Sequence, residues 1–398
     1  MVSKYRSVLS VPGSPGLMLS ALVGRMPLGM SSLAILLLVR GTHHSYTIAG
    51  VAVGAYAFAS AASAPMQGRL IDRFGRMRVM IPMAVAQAIV LVAFVLASSA
   101  DASGATLVPL AGLAGGLMPP VSPTARALWR DVFTDPQVRD TAYALDSVVQ
   151  EVAWVTGPLI VALVVGFTSP EVAVLLVATM CVIGTTLFVR SPLARGSGTR
   201  SAHEPRTSVL ANHELRAMLA PIALTGVGIG AIEVGLPALA LHAGSRPASG
   251  LLLALWSLGS MVGGLWYGAR VWSSSLTHRY KLFLFGAIIC TAPLIIARSI
   301  PEGIAASLLA GLMIAPMFSC QYALVARAAP SGAETEAFTW VTASLVAGLA
   351  TGSAIAGAAI GLAGVSAPFV FSCLATSVAA MMALRTRELV PVLQSSAS

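Results

Sequence analysis

Hydrophobic and polar positions in this chain alternate in long blocks rather than residue by residue. Apolar runs recur, separated by short polar breaks that hold most of the arginines. A helix needs about 20 mostly apolar residues to cross a bilayer core. The pattern predicts twelve such helices, at 15–39, 47–66, 79–99, 105–126, 142–166, 171–189, 217–241, 249–270, 281–298, 303–326, 337–361 and 366–384. Barrel strands would be shorter and would alternate apolar with polar. Helices satisfy their own backbone polar groups, which lipid cannot do.

Composition sharpens this picture. Of 398 residues, 57% are hydrophobic and 10% charged, against about 25% charged in soluble domains. The net charge of +9 would invite nucleic acid if it were scattered. It is not scattered. Of 24 Lys and Arg, 20 fall in alternate segments or at the adjoining helix ends: 1–14, 67–78, 127–141, 190–216, 271–280, 327–336 and 385–398. Arg40, Arg246 and Arg298 fall on the other side, and Arg25 falls inside the first span. This is the positive-inside asymmetry of a multi-pass protein, not a nucleic-acid footprint. It predicts a multi-pass membrane protein with both termini cytoplasmic. Lys4 and Arg6 precede an apolar run as in a signal peptide, but that run is too long and contains Arg25, so a retained first span is expected.

Segment 190–216 has linker composition, with Pro192, Gly196, Gly198 and Pro205 among arginines. It divides the chain into a first half, 1–189, and a second, 217–398, of six spans each. The halves repeat weakly. Ser7-Val8-Leu9 recurs as Ser208-Val209-Leu210, Gly50 and Gly68 as Gly250 and Gly268, and Gly115 and Pro120 as Gly311 and Pro316. Ala142-Tyr143 recurs as Ala337-Phe338, and Thr156-Gly157 as Thr351-Gly352. Ordered matches at a nearly constant offset imply two parallel six-helix repeats, with a binding site expected at their interface. The fold class is therefore all-α, with twelve transmembrane helices in two pseudo-symmetric six-helix bundles.

The densest charge in the first half is Gly68-Arg-Leu-Ile-Asp72-Arg73-Phe-Gly75-Arg76-Met-Arg78. The two glycines are expected to let the chain turn between spans 2 and 3. This segment resembles the signature loop between helices 2 and 3 of the major facilitator superfamily. The resemblance implies a twelve-helix secondary transporter working by alternating access. It also implies a gating role for Gly68, Asp72, Arg73, Gly75 and Arg76, with the Asp72 carboxylate near the start of helix 11, beside Glu334 and Glu336. Those carboxylates are candidate partners for the loop arginines, and Asp131 is a candidate partner for Arg73. The simpler reading is that these are solvated, topology-setting charges. In the second half Trp272 stands where the first has Asp72.

Span 5 carries the most chemistry. At 100° per residue, Asp146, Gln150, Trp154 and Gly157 share one face, which Glu151 extends. A carboxylate at the centre of a membrane helix costs about 2.5–3.5 kcal/mol. Glu151 is therefore expected to face the protein interior and to be a candidate for taking up a proton. Arg25 cannot shed its charge, so it requires a partner, and Asp146 and Glu151 are the candidates. Glu233, in span 7, is a further proton or substrate-cation candidate. For all of these the alternative is a structural ion pair or a side chain reaching water. Gly157-Pro158 resembles part of the family's antiporter motif, without its flanking glycines. The run Tyr143-x-Leu-Asp-x-x-x-Gln-Glu-x-x-Trp-x-x-Gly-Pro is similar to poorly characterised actinobacterial members.

Other chemistry is not expected. Cys181, Cys290, Cys320 and Cys373 sit singly in apolar stretches, without disulfide or zinc spacing. His43-His44 lacks further ligands, and the glycine-rich tracts 112–116 and 348–361 lack a Gly-Lys-Ser/Thr. The expectation is a monomeric, non-enzymatic transporter with no metal or cofactor, whose partners are lipids and a small-molecule substrate. Its energy source would be the proton gradient. Export of an amphipathic or cationic compound is the leading function. Uptake of a nutrient or organic anion, with Arg25 as anion partner, is the alternative.

Overall fold

The computed structural model describes residues 2–43, 46–196, 209–245, 248–330 and 332–385. His44, Arg246, Ser208 and linker residues 197–208 lie outside the described residues. Twelve helical segments are long and apolar enough to cross a membrane, and no strand occurs among the described residues. Spans 1 to 3 are Ser14–His43, Tyr46–Phe74 and Arg76–Ser99. Span 4 comprises Gly104–Gly116 and Val121–Val132, and spans 5 and 6 are Pro136–Phe167 and Pro170–Arg190. Spans 7 and 8 are His213–His242 and Ala248–Ala269, and span 9 comprises Leu276–Thr291 and Pro293–Ile296. Span 10 comprises Ile300–Gly311 and Ile314–Ala328, and spans 11 and 12 are Glu334–Ala363 and Ala367–Arg385. A short helix, Val2–Leu9, precedes span 1.

Two local expectations are corrected. Residues 68–74 are not a loop: span 2 stays helical to Phe74, and the chain turns at Gly75 alone, where φ is +88°. Glycine tolerates that value at no steric cost. Ile71 is buried and Asp72 bonds to span 11, so this last stretch has its own packing reason to remain helical. Spans 4 and 10 are also each broken. Pro120 and Pro316 have no N–H to give and crowd the carbonyl four residues back. The breaks fall at 117–120 and 312–313.

Helix neighbours pair off by the repeat. Span 1 packs on 5 and 6 as span 7 packs on 11 and 12, and span 2 packs on 4 as span 8 packs on 10. Between halves, span 2 meets 11 as span 8 meets 5, and span 4 meets 11 as span 10 meets 5. Without a hydrophobic driving force between helices in lipid, small residues that allow close approach set these contacts. A Cβ on Gly115 would lie 2.1 Å from the Tyr56 oxygen, and one on Gly311 would lie 2.0 Å from the Trp256 oxygen. Gly115/Gly311 is thus a matched pair with a matched purpose, whereas Gly50 and Gly250 meet nothing within 4 Å. Phe58, Phe167, Ile289 and Leu362 are largely exposed, as side chains facing lipid would be.

Candidate functional site

Three groups of polar side chains occupy the interior and the interface between halves. They are stacked along the axis from the end that carries Gly75 towards the middle of the spans.

The first group closes that end. Asp72 accepts hydrogen bonds from the backbone N–H of Glu336 at 2.8 Å and of Thr335 at 3.3 Å. These are free donors of the first turn of span 11, where the helix dipole also favours an anion. Arg69 pairs with Glu336 at 2.8 Å, and Arg130 with Glu334 at 3.5 Å. Gly68 allows this approach: a Cβ there would lie 2.9 Å from the Glu336 Cα. Asp131 pairs with Arg76 at 3.5 Å, not with Arg73, which is exposed with its guanidinium over the Phe74 ring. The turn at Gly75 directs Arg76, not Arg73, at span 4. Arg73→Gln is accordingly expected to shift stability by less than about 0.5 kcal/mol. Thermal unfolding of the purified protein, with Arg69→Gln alongside as the larger effect, checks this.

The second group is centred on Asp146. Its carboxylate is paired with Arg25, accepts from Arg126 Nε at 3.1 Å and accepts from Trp129 Nε1 at 2.9 Å. Arg25 also donates to the Asp146 backbone oxygen at 3.2 Å. The Arg25 side chain is 0% exposed and that of Asp146 is 2% exposed. Of the two candidate partners for Arg25, the structure selects Asp146. Two arginines against one aspartate leave a formal charge of +1. Gln150 accepts from Ser122 at 2.9 Å and from Arg126 at 3.4 Å, while its own amide nitrogen is buried without a partner. The Arg126 guanidinium lies 3.9 Å over the ring of Tyr322, from the opposite half. Arg126 and Tyr322 occupy equivalent positions of the two repeats, as do Tyr143 and Phe338, whose rings are 6.3 Å apart. The repeat equivalents therefore meet across the interface.

The third group lies deeper. Glu151 is 15 residues into span 5, near its centre. It accepts from Ser260 of span 8 at 2.9 Å, a bond between halves. Glu233 of span 7 lies within electrostatic range of Glu151. Among the described residues, no arginine pairs with either carboxylate. Trp154 is 47% exposed and falls, by helical angle, between Gln150 and Glu151. Gly157 packs against Gly29 of span 1 and is a packing residue, not a polar one.

Sequence reasoning missed Arg126, Trp129, Ser122 and Ser260 as members of these groups. Arg126 reads as a helix-end charge unless the break at 117–120 is recognised. The serines and tryptophan carry no periodic signal.

The Major Facilitator Superfamily profile matches residues 17–281. An uncharacterised MFS-type transporter of Sinorhizobium fredii, y4rN, is 26% identical over 283 residues, 66% of each chain, so the match spans just under two thirds of that relative. Among solved structures, the human organic anion transporter MFSD10 (TETRAN) superposes with a TM-score of 0.74 at 16% identity, over 93% of this chain and 98% of that one. A bacterial homologue of the iron transporter ferroportin, in its outward-facing state with soaked iron, gives 0.70 at 13% identity over the same shares.

Proposed function

The chain belongs to the major facilitator superfamily, and on that premise we propose that this multi-pass transporter exports a small amphipathic or cationic compound in exchange for protons. The two halves, 1–189 and 217–398, rock about the interface in this reading, with 190–216 as a cytoplasmic linker. The closed end is the cytoplasmic one, both termini lie on that side, and the conformation is open outward. The membrane is the bacterial inner membrane. No cofactor is needed, because the proton gradient supplies the energy to a monomer.

One observation carries the reading. Glu151 and Glu233 come from opposite halves and lie within range of each other with no arginine partner among the described residues, whereas Asp146 is already neutralised twice over. Both are half-buried within membrane spans, where a carboxylate without a fixed counter-ion is either protonated or compensated by a bound cation. Competition between proton and cationic substrate for one such pair is the minimum that antiport requires. A conformational change that breaks the Glu151–Ser260 bond alters the surroundings of the pair in each state. Trp154, one turn away, offers an aromatic face to a cation.

A second reading rests on a different observation. The Arg25–Arg126–Asp146 group has an excess positive charge, and Arg126 stands at the interface. An organic anion held there would make the protein an anion transporter, with proton-coupled uptake as its direction.

Proteoliposomes with an imposed proton gradient separate the two. Uptake of a fluorescent cation into proteoliposomes with an acid interior, abolished in Glu151→Gln at matched incorporation, is the expected result. Unchanged transport by Glu151→Gln removes the carboxylate pair from the mechanism. Gradient-driven movement of organic anions only, lost in Arg126→Gln, establishes the second reading in its place.

A further inference from the structure

The two halves close the same end by different means, and the difference leaves a cavity. In the first gate Asp72 supplies a negative charge to span 11. In the second, Trp272 occupies the equivalent position and packs edge-on against Trp266 and Phe283. Its indole donates to the Tyr267 backbone carbonyl at 3.0 Å, so it brings no acceptor to span 5. Beside it lies a cavity of about 100 Å³, walled by Asp140 and Thr141 of the first half and by Arg270, Arg279, Arg327 and Trp272 of the second.

Three arginines and one aspartate give this wall a formal charge of +2. Arg279 is buried, donates to Tyr267 Oη at 2.8 Å and to Asp140 Oδ2 at 3.0 Å, and has no partner at Nε. Its side chain is 7% exposed. Asp140 Oδ1 is likewise buried without a partner. Arg270 and Arg327 are exposed at the rim, with the Arg270 guanidinium 5.8 Å from the Trp272 ring. The cavity thus offers forked donors on one side and a single acceptor on the other.

We propose that this cavity binds a phosphate group, which supplies to the second gate the negative charge that Asp72 supplies to the first. Phosphate oxygens match the guanidinium forks. A P–OH of hydrogen phosphate, or a headgroup hydroxyl, donates to Asp140 Oδ1. The volume is well below the ~300–1,000 Å³ of pockets that enclose drug-sized ligands, so the cavity holds a phosphate group and not a whole larger ligand. The site lies at the ends of spans 5, 8 and 9, where either an anionic lipid headgroup or free phosphate can reach it. Because its walls come from both halves, an occupant ties the halves together at this end.

The test needs no transport assay and is independent of the export reading. The full chain is purified in a neutral detergent, and its melting midpoint is followed against inorganic phosphate, with chloride at equal ionic strength as control. The same measurement is made in nanodiscs of phosphatidylcholine with and without phosphatidylglycerol. Wild type is expected to be stabilised by a phosphate bearer, and Arg270→Gln/Arg327→Gln to need at least about tenfold more of it for the same shift. Both arginines are exposed, so this variant is expected to fold. Arg73, exposed on the other gate with its guanidinium over the Phe74 ring, is the control position: Arg73→Gln should retain the response. Stabilisation by free phosphate in detergent identifies the soluble source, and stabilisation by phosphatidylglycerol alone identifies the lipid. No response to either, or an equal response in the double variant, overturns the proposal.

Discussion

Asp146→Asn is expected to be among the most destabilising conservative substitutions in the protein, costing about 3–5 kcal/mol. The substitution keeps the size of the side chain and removes one charge. It leaves Arg25 with a side chain that is 0% exposed, and Arg126 at 5%, with no carboxylate between them. Neither arginine can deprotonate to escape, and water does not reach Arg25. The argument predicts an order, not only a magnitude. Arg25→Leu removes a charge from the same group but leaves Arg126 and Asp146 as a balanced pair, with Trp129 still donating. It should cost clearly less. The double variant Arg25→Leu/Asp146→Asn should recover part of the loss, because only Arg126 remains and it keeps Gln150 and the Tyr322 ring. Unfolding of the three variants in detergent decides the matter. If Asp146→Asn is no worse than Arg25→Leu, charge balance is not what holds spans 1, 4 and 5 together.

That arrangement was only partly legible in the sequence. The need for a partner at Arg25 follows from its charge and its apolar neighbours, and a polar face on span 5 follows from helical spacing. What could not be read was Arg126. Its place in the group depends on where span 4 breaks and on how spans 1, 4 and 5 cross, and both are properties of packing. The long apolar blocks were legible because each spans a bilayer by itself, whatever its neighbours do. Their ends were less so. Span 2 runs on to Phe74 because Ile71 and Asp72 have tertiary partners, and no local propensity records that. The repeat matches divide in the same way. Gly115 and Gly311 mark close backbone approach, whereas Gly50 and Gly250 share an offset and no contact.

Gly68→Leu is expected to hold the closed end open. Here the obstacle is backbone. A Cβ on Gly68 would lie 2.6 Å from Thr339 Oγ1, 2.9 Å from the Glu336 Cα and 3.0 Å from its nitrogen. A side chain there cannot be accommodated by a rotamer change, so spans 2 and 11 must separate. Separation also breaks both N–H bonds to Asp72 and the Arg69–Glu336 pair. Hydrogen bonds to a charged group contribute about 1.5–3 kcal/mol each. Losing two disfavours the closed state by about 3–6 kcal/mol, or about two to four decades in population. The readout is a cysteine placed at Ser319, which lies 3.4 Å from Ser147 across the interface. An impermeant maleimide applied from the gate side should label it slowly in the otherwise wild-type protein and rapidly with Gly68→Leu. Labelling of each background without Ser319→Cys corrects for the native cysteines. The equivalent Gly268→Leu, whose added atom meets the Ala144 methyl and the Tyr5 hydroxyl, each at 2.8 Å, should act less strongly, because Trp272, unlike Asp72, holds no bond across the interface that separation would break. Gly50→Leu, with nothing within 4 Å, should leave labelling unchanged. Equal labelling in all three variants would mean that the glycine contact does not set the gate, and that the charged pairs around Asp72 hold it closed by themselves.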